Sequence, residues 1–112
     1  MSDNDILSRL DAALAARREA DPDTSYTASL YAGGVARIGA KIREESEEVV
    51  EAAAEDDDVH LIHEVADLWF HCMVLLGSRG LDSAAVQAEL GRRFGVSGIE
   101  EKAARPASDG HE

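Results

Sequence analysis

Apolar residues recur along this chain at the three- and four-residue spacing of helices, and no segment shows the alternation of a strand. Ile6, Leu7, Leu10, Ala13 and Leu14 predict an amphipathic helix from about Asp5 to Ala20, with Asp3 or Asp5 as its N-cap. Asp21-Pro22-Asp23 is a turn signal, because the residue before proline is pushed out of the α region. A short helix then runs from Ser25-Tyr26-Thr27 through Leu30 and Tyr31. Gly33-Gly34 breaks it or bends it into a second long helix, about Ala36 to Glu55. Asp57 or Asp58 caps a third, about Val59 to Ser78, which Arg79-Gly80 closes as a glycine C-cap. Asp82 or Ser83 caps a fourth, Ala84 to Phe94, with Val86, Leu90 and Phe94 on its apolar side. The expected fold is all-α, a bundle of four to five helices in a single domain over residues 1–105, followed by a disordered polar tail at 106–112.

The third helix is apolar almost all round. Leu61, Ile62, Val65, Leu68, Trp69, Phe70, Met73 and Leu75 leave one narrow polar stripe, carrying Glu64, Asp67 and His71. Such a helix is expected to be buried, with Trp69 and Cys72 in the core. Four modest helices have too little material to cover every side of it, so a homodimer is expected to complete the bundle. His60, His63, Glu64 and Asp67 interrupt the one long apolar stretch, and no apolar leader precedes a cleavage site. The protein is therefore expected to be soluble, cytoplasmic and free of a membrane.

The acids are where the pattern departs from an ordinary helical domain. At about 100° per residue Ile38, Ile42 and Val49 share a face, and Glu45 falls between them, aimed at the core. Glu48 borders that face one turn on, Glu44 lies beyond it on the same flank, and Glu47 and Glu51 read as solvated. Two carboxylates three residues apart, opposed by Glu64 and Asp67 on a neighbouring helix, make an oxygen-rich site of the kind magnesium prefers. The same spacing is compatible with core-border salt bridges to Arg37, Arg43 or Lys41. Lys41, one turn before Glu45, has a charge that can neutralise the acids or meet a phosphate. His71 reads as bonded to a carboxylate or backbone carbonyl, His60 and His63 as surface or cap residues, and Arg92 and Arg93 as charges at a helix C-terminus.

A formal charge of −12 on 112 residues argues against a nucleic-acid partner, whose phosphates call for Lys and Arg. An anionic substrate would need cations and a few placed basic groups. Cys72 is the only cysteine, which excludes an internal disulfide and a cysteine-based zinc cluster. Glu55-Asp56-Asp57-Asp58 reads as a solvated loop, and the acidic surface as a whole suits high salt.

Four segments carry a family likeness: SYTASLYAGG (25–34), KIREESEEVVEAA (41–53), HEVADLWFHCMVLL (63–76) and ELGRRFGVSGIEEKAAR (89–105). Across about Leu7 to Arg105 the chain resembles the phosphoribosyl-ATP pyrophosphatases of histidine biosynthesis, within the all-α nucleotide pyrophosphohydrolases. The E-E-x-x-E and E-x-x-D pattern belongs to the wider group, which leaves broad-specificity nucleoside triphosphate pyrophosphohydrolysis as the alternative activity. The first and last segments are the more specific ones. Ser46 replaces the alanine usual in the family, and Trp69-Phe70 an aliphatic residue and a tyrosine. The resemblance implies magnesium held by Glu44, Glu45, Glu48, Glu64 and Asp67, with catalysis resting on the last four. It also implies a tight homodimer, and hydrolysis of phosphoribosyl-ATP to phosphoribosyl-AMP and pyrophosphate. Lys41, Arg92, Arg93, Lys102 and Arg105 are the candidates to hold the substrate's phosphates.

Overall fold

The computed structural model describes residues 5–95, so residues 1–4, the expected polar tail, Lys102 and Arg105 lie outside the described residues. Helix α1 spans Ile6–Ala16, α2 Tyr26–Ala53, α3 Asp58–Ser78 and α4 Ser83–Phe94, and no strand occurs among the described residues. The chain divides into one unit running through Asp82 and a second starting at Ser83.

Each helix of the first unit begins where a short polar side chain takes up a free backbone N–H. Asp5 accepts from Leu7 N at 3.1 Å, Ser25 from Ala28 N at 3.1 Å and Asp57 from His60 N at 3.1 Å. Helix α1 ends four residues before the expected Ala20. Arg17, Arg18 and Ala20 bond instead three residues back, to Leu14, Ala15 and Arg17, which tightens the chain ahead of Pro22. Helix α3 closes with Gly80 at φ 74°. Gly80 N donates to Gly77 O at 3.0 Å and Leu81 N to Leu76 O at 2.9 Å, the paired bonds of a Schellman motif.

Helix α2 is two helical segments joined at a kink. Gly34 has φ 73° and ψ −170°, a backbone state that a side chain disfavours, and helical geometry resumes on both sides. Before the bend, Tyr26 and Tyr31 meet His71 and Gly77 of α3. After it, α2 runs back along α3, so Ile38 shares the core with Val74 while Glu48 faces Glu64. The core consists of Leu14, Leu30, Ile38, Met73 and Val74, edged by Leu7, Leu10, Tyr31, Ile42, Phe70 and Leu75. Leu30, Ile38 and Val74 are wholly buried, each stabilising the fold by roughly 1.5–3 kcal/mol.

Helix α3 is less buried than its composition suggests. Trp69 is 60% exposed, correcting its reading as core, Ile62 and Val59 are exposed too, and Cys72 is half-buried. The physical reason is coverage, since α1 and α2 lie along one side of a helix whose apolar surface extends further round. By length and composition alone α3 could cross a bilayer, yet Glu64 and Asp67 sit at its middle and it packs against α2.

Close approach of α2 to α3 depends on Gly77. A Cβ there would collide with the Tyr31 hydroxyl, which is tied to Leu14 O at 3.1 Å and cannot swing aside freely. Gly77→Ala is therefore expected to destabilise the protein by about 1–3 kcal/mol in urea unfolding. In a Tyr31→Phe background the same change should cost much less, because the colliding atom is gone.

Candidate metal centre

Ile38, Glu45 and Ala52 lie seven residues apart on α2, and all three are buried. Glu45 thus occupies a core position, 6% exposed, as its place between apolar neighbours predicts. Glu48 sits one turn on and is half-buried. Glu64 comes from the facing turn of α3, with its side chain 12% exposed. One carboxylate oxygen from each of these three residues lies within 4.8 Å of the other two.

Among the described residues nothing neutralises this group fully. Oε1 of Glu45 and Oε1 of Glu64 are buried without a hydrogen-bond partner, a costly state for carboxylate oxygens. Burial, and then the charges of Glu48, Asp67 and Glu64, push Glu45 up to about 7. Glu48 is raised by desolvation and by its hydrogen bond with Glu64. Burial pushes Glu64 upward as well, but hydrogen bonds from His60, Glu48 and Glu45 outweigh it and hold Glu64 below the usual range. Three acids this close cannot all carry full charge without a large cost. A hard divalent cation fits this donor set, since it would offset that charge with one cation bonded to several oxygens.

Each remaining candidate has surroundings of its own. Asp67 is near enough for its charge to act on Glu45, but its half-exposed carboxylate has His63 Nε2 at 3.4 Å. Glu44 is exposed and paired with Lys41 Nζ at 3.2 Å, outside the three converging acids, and that hydrogen bond raises the Lys41 ammonium. Glu47 and Glu51 are exposed, as expected. Arg37 and Arg43 form no ion pair among the described residues, and Lys41 pairs with Glu44, so the salt-bridge alternative for Glu45 and Glu48 has no partner there. Arg92 and Arg93 both reach Glu89, at 2.6 and 2.8 Å, and their hydrogen bonds pull it down to about 2.

Two histidines are built into the surroundings. His71 is buried, with Nδ1 2.8 Å from Asp67 O and Nε2 2.8 Å from the Tyr26 hydroxyl. A carbonyl can only accept, so Nδ1 carries the proton and Tyr26 donates to Nε2. This matches the expectation of a carbonyl-bonded histidine. His60 does more than a surface or cap residue, because Nδ1 meets Glu55 Oε1 at 2.8 Å and Nε2 meets Glu64 Oε2 at 3.0 Å. Those bonds, with Glu55 first and Glu64 second, raise its pKa. The sequence signal was its four-residue spacing from Glu64, repeated by His63 and Asp67.

Fold and site define an all-α protein whose centre is a carboxylate cluster built across a bent helix and its neighbour. Residues 7–94 match the phosphoribosyl-ATP pyrophosphohydrolase family, and the chain belongs to that family. It is 52% identical over 107 residues to the phosphoribosyl-ATP pyrophosphatase of Nitrosospira multiformis, covering 96% of this chain and 88% of the relative. The Azoarcus sp. enzyme of the same name is 51% identical over 105 residues, 94% of this chain and 98% of its own. That of Methylococcus capsulatus is 52% identical over 101 residues, 90% and 96% respectively.

A pH test follows from Glu45 in metal-free protein. Its folded pKa lies above its unfolded value, so the associated stability is full below about pH 4.5 and is lost as pH rises through about 7. The loss is of order 3 kcal/mol. Thermal melts of wild type and Glu45→Gln should therefore diverge between these limits, the variant gaining relative stability as pH rises.

Proposed function

We propose that this protein hydrolyses phosphoribosyl-ATP to phosphoribosyl-AMP and pyrophosphate, the second step of histidine biosynthesis, with magnesium as cofactor and in the cytoplasm. Membership of the family supports the reaction, and the convergence of Glu45, Glu48 and Glu64 with two unpartnered buried oxygens supports the cation. Glu45, Glu48 and Glu64 would hold the metal, with Asp67 beside them and Glu44 on the outer flank. Bound magnesium would polarise phosphate oxygens and reverse the field of an acidic protein toward a polyanion.

The chain's own groups supply the rest. Water attacks a phosphorus of the α,β-anhydride, that P–O–P bond breaks to release pyrophosphate, and a carboxylate of the cluster takes the water's proton. Lys41 can exchange its bond to Glu44 for one to a phosphate oxygen, and Arg92 and Arg93 can do likewise from Glu89. Lys102 and Arg105 are retained as phosphate-binding candidates from the sequence.

A homodimer is part of the same proposal. Val35 and Val50 on α2, and Val59, Ile62 and Trp69 on α3, are exposed in one chain, and a second copy can cover apolar side chains of this kind. Sedimentation at micromolar concentration should give a dimer for wild type and a monomer for Trp69→Glu. A monomeric wild type would count against the assembly.

The activity test follows pyrophosphate from phosphoribosyl-ATP with and without magnesium. Glu45→Gln, Glu48→Gln, Glu64→Gln and Asp67→Asn should each lose at least about 100-fold, since even outer partners of a metal ligand are worth roughly 10–100-fold. Glu47→Gln, in the same acidic run but exposed, should match wild type. Comparable release from ordinary nucleoside triphosphates would favour the broad-specificity alternative, and full activity without divalent cation would remove magnesium from the reading.

A further inference from the structure

The acidic stretch between α2 and α3 ends in a histidine that reaches back to the centre. His60 stands in the first turn of α3, one turn before Glu64, and its two ring nitrogens face opposite ways. Nε2 binds Glu64 Oε2, and Nδ1 binds Glu55 Oε1, beyond the end of α2. Both partners are carboxylate oxygens, so each bond uses an N–H of the ring. The consequence for Glu64 is an asymmetry between its two oxygens. Oε2 is engaged by His60, while Oε1 is buried and unpartnered, in the residue whose carboxylate converges with Glu45 and Glu48.

We propose that His60 is a positioning residue for the metal centre: anchored by Glu55, it holds one oxygen of Glu64 so that the other stays available to a divalent cation. The inference rests on the magnesium reading above. A carboxylate on a helix otherwise rotates about three side-chain bonds, and among three repelling acids Glu64 would turn outward to water. Fixing one oxygen removes that freedom before the cation arrives, so less order has to be created on binding.

An opposing effect makes the proposal testable. His60 donating to two carboxylates carries positive charge, and charge beside a cation site weakens binding. If charge governs, removing the ring tightens metal binding whatever replaces it; if orientation governs, the outcome depends on whether a donor to Glu64 remains.

The experiment titrates wild type, His60→Ala and His60→Gln with Mn²⁺ at one fixed pH, reading free Mn²⁺ by electron paramagnetic resonance without substrate. His60→Ala should bind about 10-fold or more weakly, and His60→Gln, which keeps an uncharged N–H donor, should remain within about 3-fold of wild type. Thermal melts without metal should show His60→Ala still folded. In turnover assays His60→Ala should raise the magnesium concentration for half-activation while leaving kcat at saturating magnesium near wild type. Equal or tighter Mn²⁺ binding by His60→Ala, or equal weakening in both variants, overturns the positioning role. Wild type that binds no Mn²⁺ overturns the magnesium reading and this inference together, whereas wild type that binds while His60→Ala is unchanged overturns only the inference.

Discussion

Three carboxylates held within 4.8 Å of one another are the constraint on which the structure turns. Left to themselves they would repel and hydrate, so the remainder of the first unit has to hold them together. The wholly buried Ile38 and Val74 clamp the hairpin on one side of the centre, and Ala52 seals α2 beyond it. The Asp57 cap sets where α3 begins and thereby which residue of α3 faces Glu45. His71 ties the Asp67 turn to the start of α2 through Tyr26. Stability given up at the acids is available for binding, because a cation that relieves the repulsion is bound more tightly by the same amount.

Much of this was legible in the sequence, for local reasons. Asp5, Ser25 and Asp57 announce helix starts by their side chains alone, and Gly80 announces an end. Glu45 was placed in the core by period, since a residue seven after Ile38 must share its face. Trp69 was misplaced for a global reason. Hydrophobicity says that a surface needs covering, and says nothing of whether the same chain covers it.

The histidines show the same boundary. His71 could be read as carbonyl-bonded because the partner lies one turn away on its own helix, but its bond to Tyr26 joins residues 45 apart and depends on the bend in α2. His60 was underread because its two partners lie on either side in sequence, and Glu55 looked like part of a solvated acidic run. Lys41 and Arg92 illustrate the converse. Each was a candidate for phosphate, and each rests on a glutamate of its own helix, so substrate must compete with a carboxylate already in place.

The kink at Gly34 decides which parts of one chain can touch. With a Cβ at that position the left-handed backbone state is disfavoured, and α2 would tend toward one straight rod of 28 residues, about 42 Å long. A rod of that length carries Tyr26 and Tyr31 away from the His71 and Gly77 of their own chain. Those contacts inside the chain would then be lost. A single hydrogen in place of a methyl group thus lets this segment close on its own chain.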